Sequence, residues 1–163
     1  MKSADQRLPN RAAFMVALIV SLLLTACNRN EPSLEDEIRQ FIDSGIEAAE
    51  NRSSGDLSDM IRDNYSDARG HNKHQLISLM RIYFLRNKSI HLFSKIKKIE
   101  ISGHQNAKVE LYVAMAGKQI SDITLLSNYR ASIYYFELQL IKPDDEWLLE
   151  QASWKPASAT DMQ

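Results

Sequence analysis

The chain has 163 residues, of which 44% are hydrophobic, and its 20 lysines and arginines nearly balance its 21 aspartates and glutamates. The length corresponds to about one domain, and the balanced charge argues against a nucleic-acid surface, which usually shows a concentrated basic excess. The single cysteine, Cys27, excludes an internal disulfide, so a hydrophobic core must hold the fold together.

The N-terminal region has the three parts of a secretory signal peptide. Basic residues come first, at Lys2, Arg7 and Arg11. An uncharged apolar run follows at residues 12–24, and the small residues Thr25 and Ala26 come next. Because this run is short for a membrane-spanning helix, we expect residues 1–26 to be a signal peptide, with a buried or spanning helix as the alternative.

The stretch Leu24-Thr25-Ala26-Cys27 resembles the lipobox of bacterial lipoproteins. In that family, the cysteine thiol receives a diacylglyceryl group and the signal peptide is cut just before the cysteine. The resemblance implies cleavage between Ala26 and Cys27, lipid attachment at Cys27, and a membrane as partner. Asn28 stands where aspartate favours inner-membrane retention in enteric bacteria, which implies the outer membrane, facing the periplasm. An incidental cysteine in an ordinary signal peptide is the alternative.

A short tether and a long first helix come after this motif. Residues 27–33 are the lipidated cysteine and its predicted tether, and residues 34–156 are the predicted domain. Ser33 has the chemistry of a helix N-cap, and acidic residues crowd the turn after it, where the helix dipole favours negative charge. We expect this helix to end near Asn51, because turn-forming residues follow.

Two further helices are predicted before the chain changes character. The second spans residues 57–63 and is followed by a loop around Gly70. Asn72 is a predicted N-cap for the third helix, with Gln75 as its capping-box partner. Apolar residues cover much of that helix: Leu76, Ile77, Leu79, Met80, Ile82, Tyr83, Phe84 and Leu85. We therefore expect the third helix to be covered on more than one side.

Beyond Asn87, apolar and polar residues alternate, as in strands that have one face in water. Three or four long antiparallel strands are expected, within residues 98–101, 108–115, 129–142 and 147–154. The piece after Gly117 is less regular and is predicted to be a short helix or a crossing loop. The tail, residues 157–163, is small and polar, and we expect it to be flexible.

Helices followed by strands indicate an α+β fold, with N-terminal helices packed on one face of a curved antiparallel sheet. The helix order and the closing stretch Asp144–Trp154, an acidic turn followed by two tryptophans, resemble the nuclear transport factor 2-like superfamily of cone-shaped α+β proteins. The resemblance covers residues 34–156 and implies a sheet curled around a cavity. Some members are enzymes, including ketosteroid isomerase, scytalone dehydratase and limonene epoxide hydrolase, and many others only bind small molecules or proteins. The fold alone does not choose between these functions.

Few residues carry recognisable chemistry. His71 and His74 are three apart, but no carboxylate or third histidine is close enough in sequence to predict a metal site, so solvated loop histidines are expected. Neither a metal nor a cofactor is predicted. Enzymes of the superfamily place an aspartate, or an Asp/His or Asp/Arg set, in an apolar cavity that tunes its pKa. The candidate cavity or rim groups are Tyr83, Tyr112, Asp122, Arg130, Tyr134 and Glu137, each with an ordinary surface or core position as its alternative.

The expected function is that of a lipid-anchored lipoprotein of the cell envelope, a non-enzymatic module that binds a protein partner or a small apolar ligand. A periplasmic isomerase or hydrolase that uses the cone cavity is one alternative, and a structural envelope component is another. We also expect a homodimer through the outer sheet face, where two strands carry mixed apolar and polar rows: Ile133, Tyr135 and Glu137, and Leu148, Glu150 and Ala152.

Overall fold

The computed structural model describes residues 32–116 and 132–162, and from Ser33 onward these form one compact unit. The helices are α1 (Leu34–Glu50), α2 (Ser54–Asp59) and α3 (Lys73–Arg86), with a final 3-10 turn at Ala159–Met162. The strands are β1 (Ile61–Asp67), β2 (His91–Ser102), β3 (Asn106–Ala116), β4 (Ser132–Ile141) and β5 (Leu148–Ala157). Within the described ranges, no helix combines the length and hydrophobicity needed to cross a membrane.

The five strands form one sheet in the order β1-β5-β4-β3-β2. Strand β1 runs parallel to β5, and the remaining neighbours are antiparallel. The α+β prediction is confirmed, but the sheet is mixed and the prediction of a wholly antiparallel sheet is wrong. The predicted signal peptide, the predicted lipid site at Cys27 and most of the predicted tether fall outside the described residues, as do residues 117–131.

Helix α1 lies across one face of the sheet, which we call the inner face. Ser33 caps the helix, because its hydroxyl accepts a hydrogen bond from the Asp36 amide while the Asp36 carboxylate accepts one from the Ser33 amide. Ile38 and Ile42 then project into the main core. There they meet alternate residues of β3 and β4, together with a tryptophan: Ala107, Val109, Leu111, Val113, Leu140 and Trp147. The helix is therefore held by burial of a single apolar stripe.

Both ends of α1 are also tied to the sheet by polar contacts. Near its start, Glu37 accepts hydrogen bonds from Lys142 Nζ at 2.8 Å and from Trp147 Nε1 at 3.0 Å. The bond from Lys142 is the main reason why the pKa of Glu37 lies below its usual value. At the other end, the Glu50 carboxylate accepts from the amide of Leu92 at 2.7 Å. These contacts fix the helix axis relative to β2 and the β4–β5 turn.

Strand β1 occupies residues for which a helix end and a loop were predicted. Helix α2 stops at Asp59, and Ile61 starts the strand beside β5. Ile61 and Tyr65 are the buried members of β1, and the pairing register shifts between Ile61 and Ser66. A spacing of four between buried residues is a helical signal, so local periodicity points to the wrong element here.

Helix α3 begins as predicted, with a capping box between Asn72 and Gln75. Leu76 and Ile77 are buried in a second apolar cluster between the helices and β1, which also contains Tyr65. The expected cover on more than one side is wrong. The other face of the helix is exposed at Leu79, Ile82, Tyr83 and Leu85.

The C-terminal segment is ordered rather than flexible. Strand β5 continues to Ala157, and the 3-10 turn that follows places Met162, at 0% exposure, against the outer face of the sheet. Its neighbours there include Ala114 and Ile133, and the ammonium of Lys95 donates to the carbonyl oxygen of Met162 at 2.5 Å. The prediction of a flexible tail is therefore wrong for its described residues, because one buried methionine anchors a polar sequence.

Candidate functional site

Aromatic side chains line the inner sheet face beyond the part that α1 covers. Tyr134 and Phe136, two residues apart on β4, have ring centroids 6.4 Å apart. Trp154 on β5 lies beside Phe136, with the rings stacked at 6.2 Å. All three side chains are only partly buried. They give the inner face a surface suited to contact with an apolar or aromatic group.

The turn after β1 places a cation above this aromatic row. The Asp67 carboxylate accepts hydrogen bonds from the amides of Arg69 and His71, at 2.8 and 2.9 Å, and Gly70 allows the turn by adopting a φ of 84°. The guanidinium of Arg69 then lies 4.8 Å from the centre of the Trp154 ring. This cation–π contact adds one positive group to the aromatic row.

The Asp67 carboxylate is fully buried and also lies 2.8 Å from Nδ1 of His71. Burial alone would raise the pKa of Asp67, but hydrogen bonds from the amide and ring of His71 and from the amide of Arg69 outweigh it and lower the pKa. The carboxylate therefore stays ionised and holds the turn, a structural role that accounts for its full set of bonds. Asp67 was not identified from the sequence as a partner of His71, although Asp67 precedes His71 by only four residues.

A polar network occupies the opposite, outer face of the sheet. The hydroxyl of Tyr135 donates to Glu110 at 2.7 Å, and its ring has the ammonium groups of Lys97 and Lys155 each 5.2 Å from its centre. Lys97 also pairs with Glu110 at 3.2 Å. The hydrogen bond from Tyr135, followed by that from Lys97, lowers the pKa of Glu110 to about 2. Burial and the bond to Glu110 raise the pKa of Tyr135.

The predicted site residues are distributed over three surfaces. Tyr134 is on the inner face, whereas Tyr112 is on the outer face with its ring 5.2 Å from that of Tyr135. Tyr83 is on the exposed side of α3, where its side chain is 42% exposed. The structure therefore does not bring these three tyrosines together. Asp122 and Arg130, like Ala26 and Cys27, lie outside the described residues.

Glu137 lies on the outer face of the sheet, which is the surface position predicted as the alternative to a cavity position. Its carboxylate lies 3.7 Å from Nζ of Lys108. The predicted outer-face row on β5 is wrong. Ala152 is buried in the inner-face cluster, and Glu150 pairs with Arg62. A register shift in the β4–β5 pairing at Gln139 breaks the simple alternation between faces. Such a shift cannot be recognised from alternation in one strand.

His71 and His74 have different surroundings. His71 contacts Asp67, and His74 is exposed on α3. Among residues 32–116 and 132–162, no three histidine, cysteine, aspartate or glutamate side chains are grouped so that they could hold a metal ion.

No family model matches the chain, and no curated protein matches its sequence. Solved structures do match the fold. A cystatin-like domain of unknown function from Nostoc punctiforme has a TM-score of 0.59 at 14% identity, covering 79% of this chain and 80% of that one. A nuclear transport factor 2-like protein of unknown function from Shewanella oneidensis has a TM-score of 0.55 at 17% identity, covering 74% and 97%. The domain has the nuclear transport factor 2-like fold.

Two other matching structures are a much longer protein and a protein named as an enzyme. Bd1075 of Bdellovibrio bacteriovorus has a TM-score of 0.61 at 14% identity over 74% of this chain, and this chain spans 40% of that protein's length. A candidate scytalone dehydratase from Novosphingobium aromaticivorans also reaches 0.61, at 10% identity, covering 75% and 83%. At such identities the nuclear transport factor 2-like likeness concerns the fold and not the activity.

Proposed function

We propose that this protein is a lipid-anchored module of the cell envelope that binds a small apolar ligand on its inner sheet face and has no catalytic activity. The observation that carries the ligand proposal is the partly exposed aromatic row of Tyr134, Phe136 and Trp154. Contact between this row and an apolar ligand would remove aromatic surface from water on both sides. Arg69, above Trp154, would favour a ligand with an electron-rich or anionic edge.

The non-enzymatic part of the proposal follows from the state of the carboxylates near the inner face. An acid–base catalyst needs a titratable group within reach of the substrate. Of the described carboxylates, Asp67 is fully buried and holds the turn before His71, and Glu37 is bonded to Lys142 and Trp147. Both have structural partners that a substrate would have to displace.

The lipid anchor is proposed from the Leu24–Cys27 motif. A thioether-linked diacylglyceryl group at Cys27 would bury many methylene groups in the bilayer, each contributing about 0.8 kcal/mol, and more than one chain is needed for stable attachment. The anchor would hold the binding face close to the membrane, with the outer membrane as the proposed location because Asn28 follows the cysteine.

Ligand binding can be tested on residues 33–163, whose described part forms one compact unit. We expect saturable binding of the neutral fluorescent probe N-phenyl-1-naphthylamine. Trp154→Ala should weaken it about tenfold, the equivalent of about 1.4 kcal/mol, whereas Tyr112→Ala on the outer face should leave it unchanged. Binding that does not saturate, or that both variants weaken equally, would contradict the proposed ligand face.

The anchor can be tested separately in growing bacteria. Cells that express the full chain are given radiolabelled palmitate, and the protein is recovered and counted. We expect label on the wild-type protein and none on Cys27→Ala. Equal labelling of both would show that the Leu24–Cys27 motif does not direct lipid attachment.

A further inference from the structure

Helix α3 presents an apolar surface to solvent on the side opposite its buried residues. Leu85 is 84% exposed, Leu79 and Ile82 are each 46% exposed, and Tyr83 borders them. Around a helix of 3.6 residues per turn, Leu79, Ile82 and Leu85 share the side opposite Leu76 and Ile77. We call these four exposed residues the α3 face. Exposed leucine and isoleucine side chains in one contiguous group mark a contact surface rather than scattered surface apolar residues.

Exposed basic residues lie at the C-terminal end of the α3 face. Residues 68–99 contain no aspartate or glutamate, although the whole chain has 21. Of the eight basic residues in this range, Arg69 lies over Trp154, Lys73 pairs with Asp63, and Lys95, Lys97 and Lys98 belong to β2. Arg86 lies in the last turn of α3 and Lys88 directly follows the helix, and both are exposed. Arg86 and Lys88 thus place positive charge beside the exposed Leu85.

We propose that the α3 face is a second membrane contact, which lays the domain on an anionic bilayer. This rests on the proposed lipid anchor, because the anchor supplies the nearby bilayer. Helices that lie in the membrane interface combine exposed leucine, isoleucine and aromatic residues with lysine and arginine, which is the composition of this surface. Anionic headgroups attract basic residues that lie close to the bilayer surface, as Arg86 and Lys88 would.

Helix α3 and the proposed anchor lie at opposite ends of α1. The anchor would attach before the start of α1, whereas α3 packs in the cluster that contains Ala48 and Ala49 near the other end of α1. The 17 residues of α1 span about 25 Å. An anchor at one end alone would leave the domain free to turn about its tether. Contact at both ends of α1 would hold one orientation relative to the bilayer.

The test uses the lipidated full-length product, recovered from membranes and reconstituted in vesicles. A single new cysteine, Ile82→Cys or Leu85→Cys, is labelled with an environment-sensitive nitrobenzoxadiazole dye, and Gln139→Cys on the outer sheet face is the matched control. In vesicles containing phosphatidylglycerol, we expect the dye on α3 to shift to the blue and to be quenched by nitroxide-labelled lipid, and the dye at Gln139→Cys to do neither. Arg86→Glu combined with Lys88→Glu should abolish the dependence on phosphatidylglycerol.

The outcomes separate the two proposals. Wild-type protein should take no dye, because the thiol of Cys27 would be a thioether; labelling of the wild type would overturn the anchor, and the α3 proposal with it. Unlabelled wild type together with a water-exposed dye at both Ile82→Cys and Leu85→Cys would overturn the α3 proposal alone. A blue shift that grows with protein density and is not quenched by lipid would assign the α3 face to a second copy of the chain, and would also overturn it.

Discussion

The hydroxyl of Tyr65 is buried in the cluster between α2, α3 and β1, and among the described residues it has no hydrogen-bond partner. A buried hydroxyl without a partner loses its hydrogen bonds to water and gains none. We predict that Tyr65→Phe raises the free energy of unfolding by about 1 kcal/mol, as measured by urea denaturation. Tyr135→Phe, which removes a bond to Glu110, should have the opposite sign. A loss of stability in Tyr65→Phe would mean that its hydroxyl is satisfied in solution.

The outer-face network gives the protein a specific acid sensitivity. The pKa of Glu110 is about 2 in the folded chain against 4.5 for an ordinary glutamate, so the folded state binds this proton more weakly than the unfolded state. The resulting stabilisation is complete above about pH 4.5 and is lost as the pH falls towards about 2. We predict that Glu110→Gln flattens the decline of the melting temperature over this range, whereas Glu146→Gln, in the exposed β4–β5 turn, does not. Parallel pH curves for wild type and Glu110→Gln would contradict the assignment.

Local chemistry made some residues predictable and left others hidden. Ser33 and Asn72 are N-caps because their partners lie three residues ahead, within the same short stretch of sequence. Trp154 and Arg69 form their contact across two strands and a turn, so neither residue identifies the other in the sequence. Of the candidate ligand face, the sequence therefore predicts Tyr134 as a site residue but not Phe136, Trp154 or Arg69.

The 3-10 turn at the C-terminus contributes to the core as an element. Met162 is fully buried against Ala114 and Ile133 on the outer face of the sheet. We predict that Met162→Ala lowers the free energy of unfolding by about 2 kcal/mol or more, through lost burial and a residual cavity. Leu85→Ala, at an exposed position, should change it by less than about 0.5 kcal/mol. Equal effects in chemical denaturation would mean that the turn is not docked in solution.

Elements with a clear period were predicted, and those determined by distant partners were not. Helix α1 repeats apolar residues at helical spacing and has a local cap, so it was found with nearly correct bounds. Strand β1 is mostly polar and buries two residues four apart, and only its pairing with β5 identifies it as a strand. Helix α3 was predicted as a helix, but its burial was not predicted correctly. Its many apolar residues predict cover on more than one side, whereas only one side is packed against other elements.

At the scale of the whole molecule, the domain has three surfaces of different chemistry. The inner face carries the aromatic row under Arg69, the outer face carries the Tyr135 network, and the α3 face is apolar with Arg86 and Lys88 at its end. The proposed anchor would bring the domain to a bilayer, and the α3 face would determine how it lies there. The inner face would then be the surface offered to an apolar ligand from the membrane or the periplasm.

The anchor is the central claim, and the mass of the N-terminal peptide tests it most directly. Protein expressed as the full chain is extracted from bacterial membranes, digested and measured by mass spectrometry. We predict a first peptide that begins at Cys27 and carries the added mass of a diacylglyceryl group. A peptide in which residues 1–26 are still joined to Cys27, with its thiol unmodified, would contradict the account.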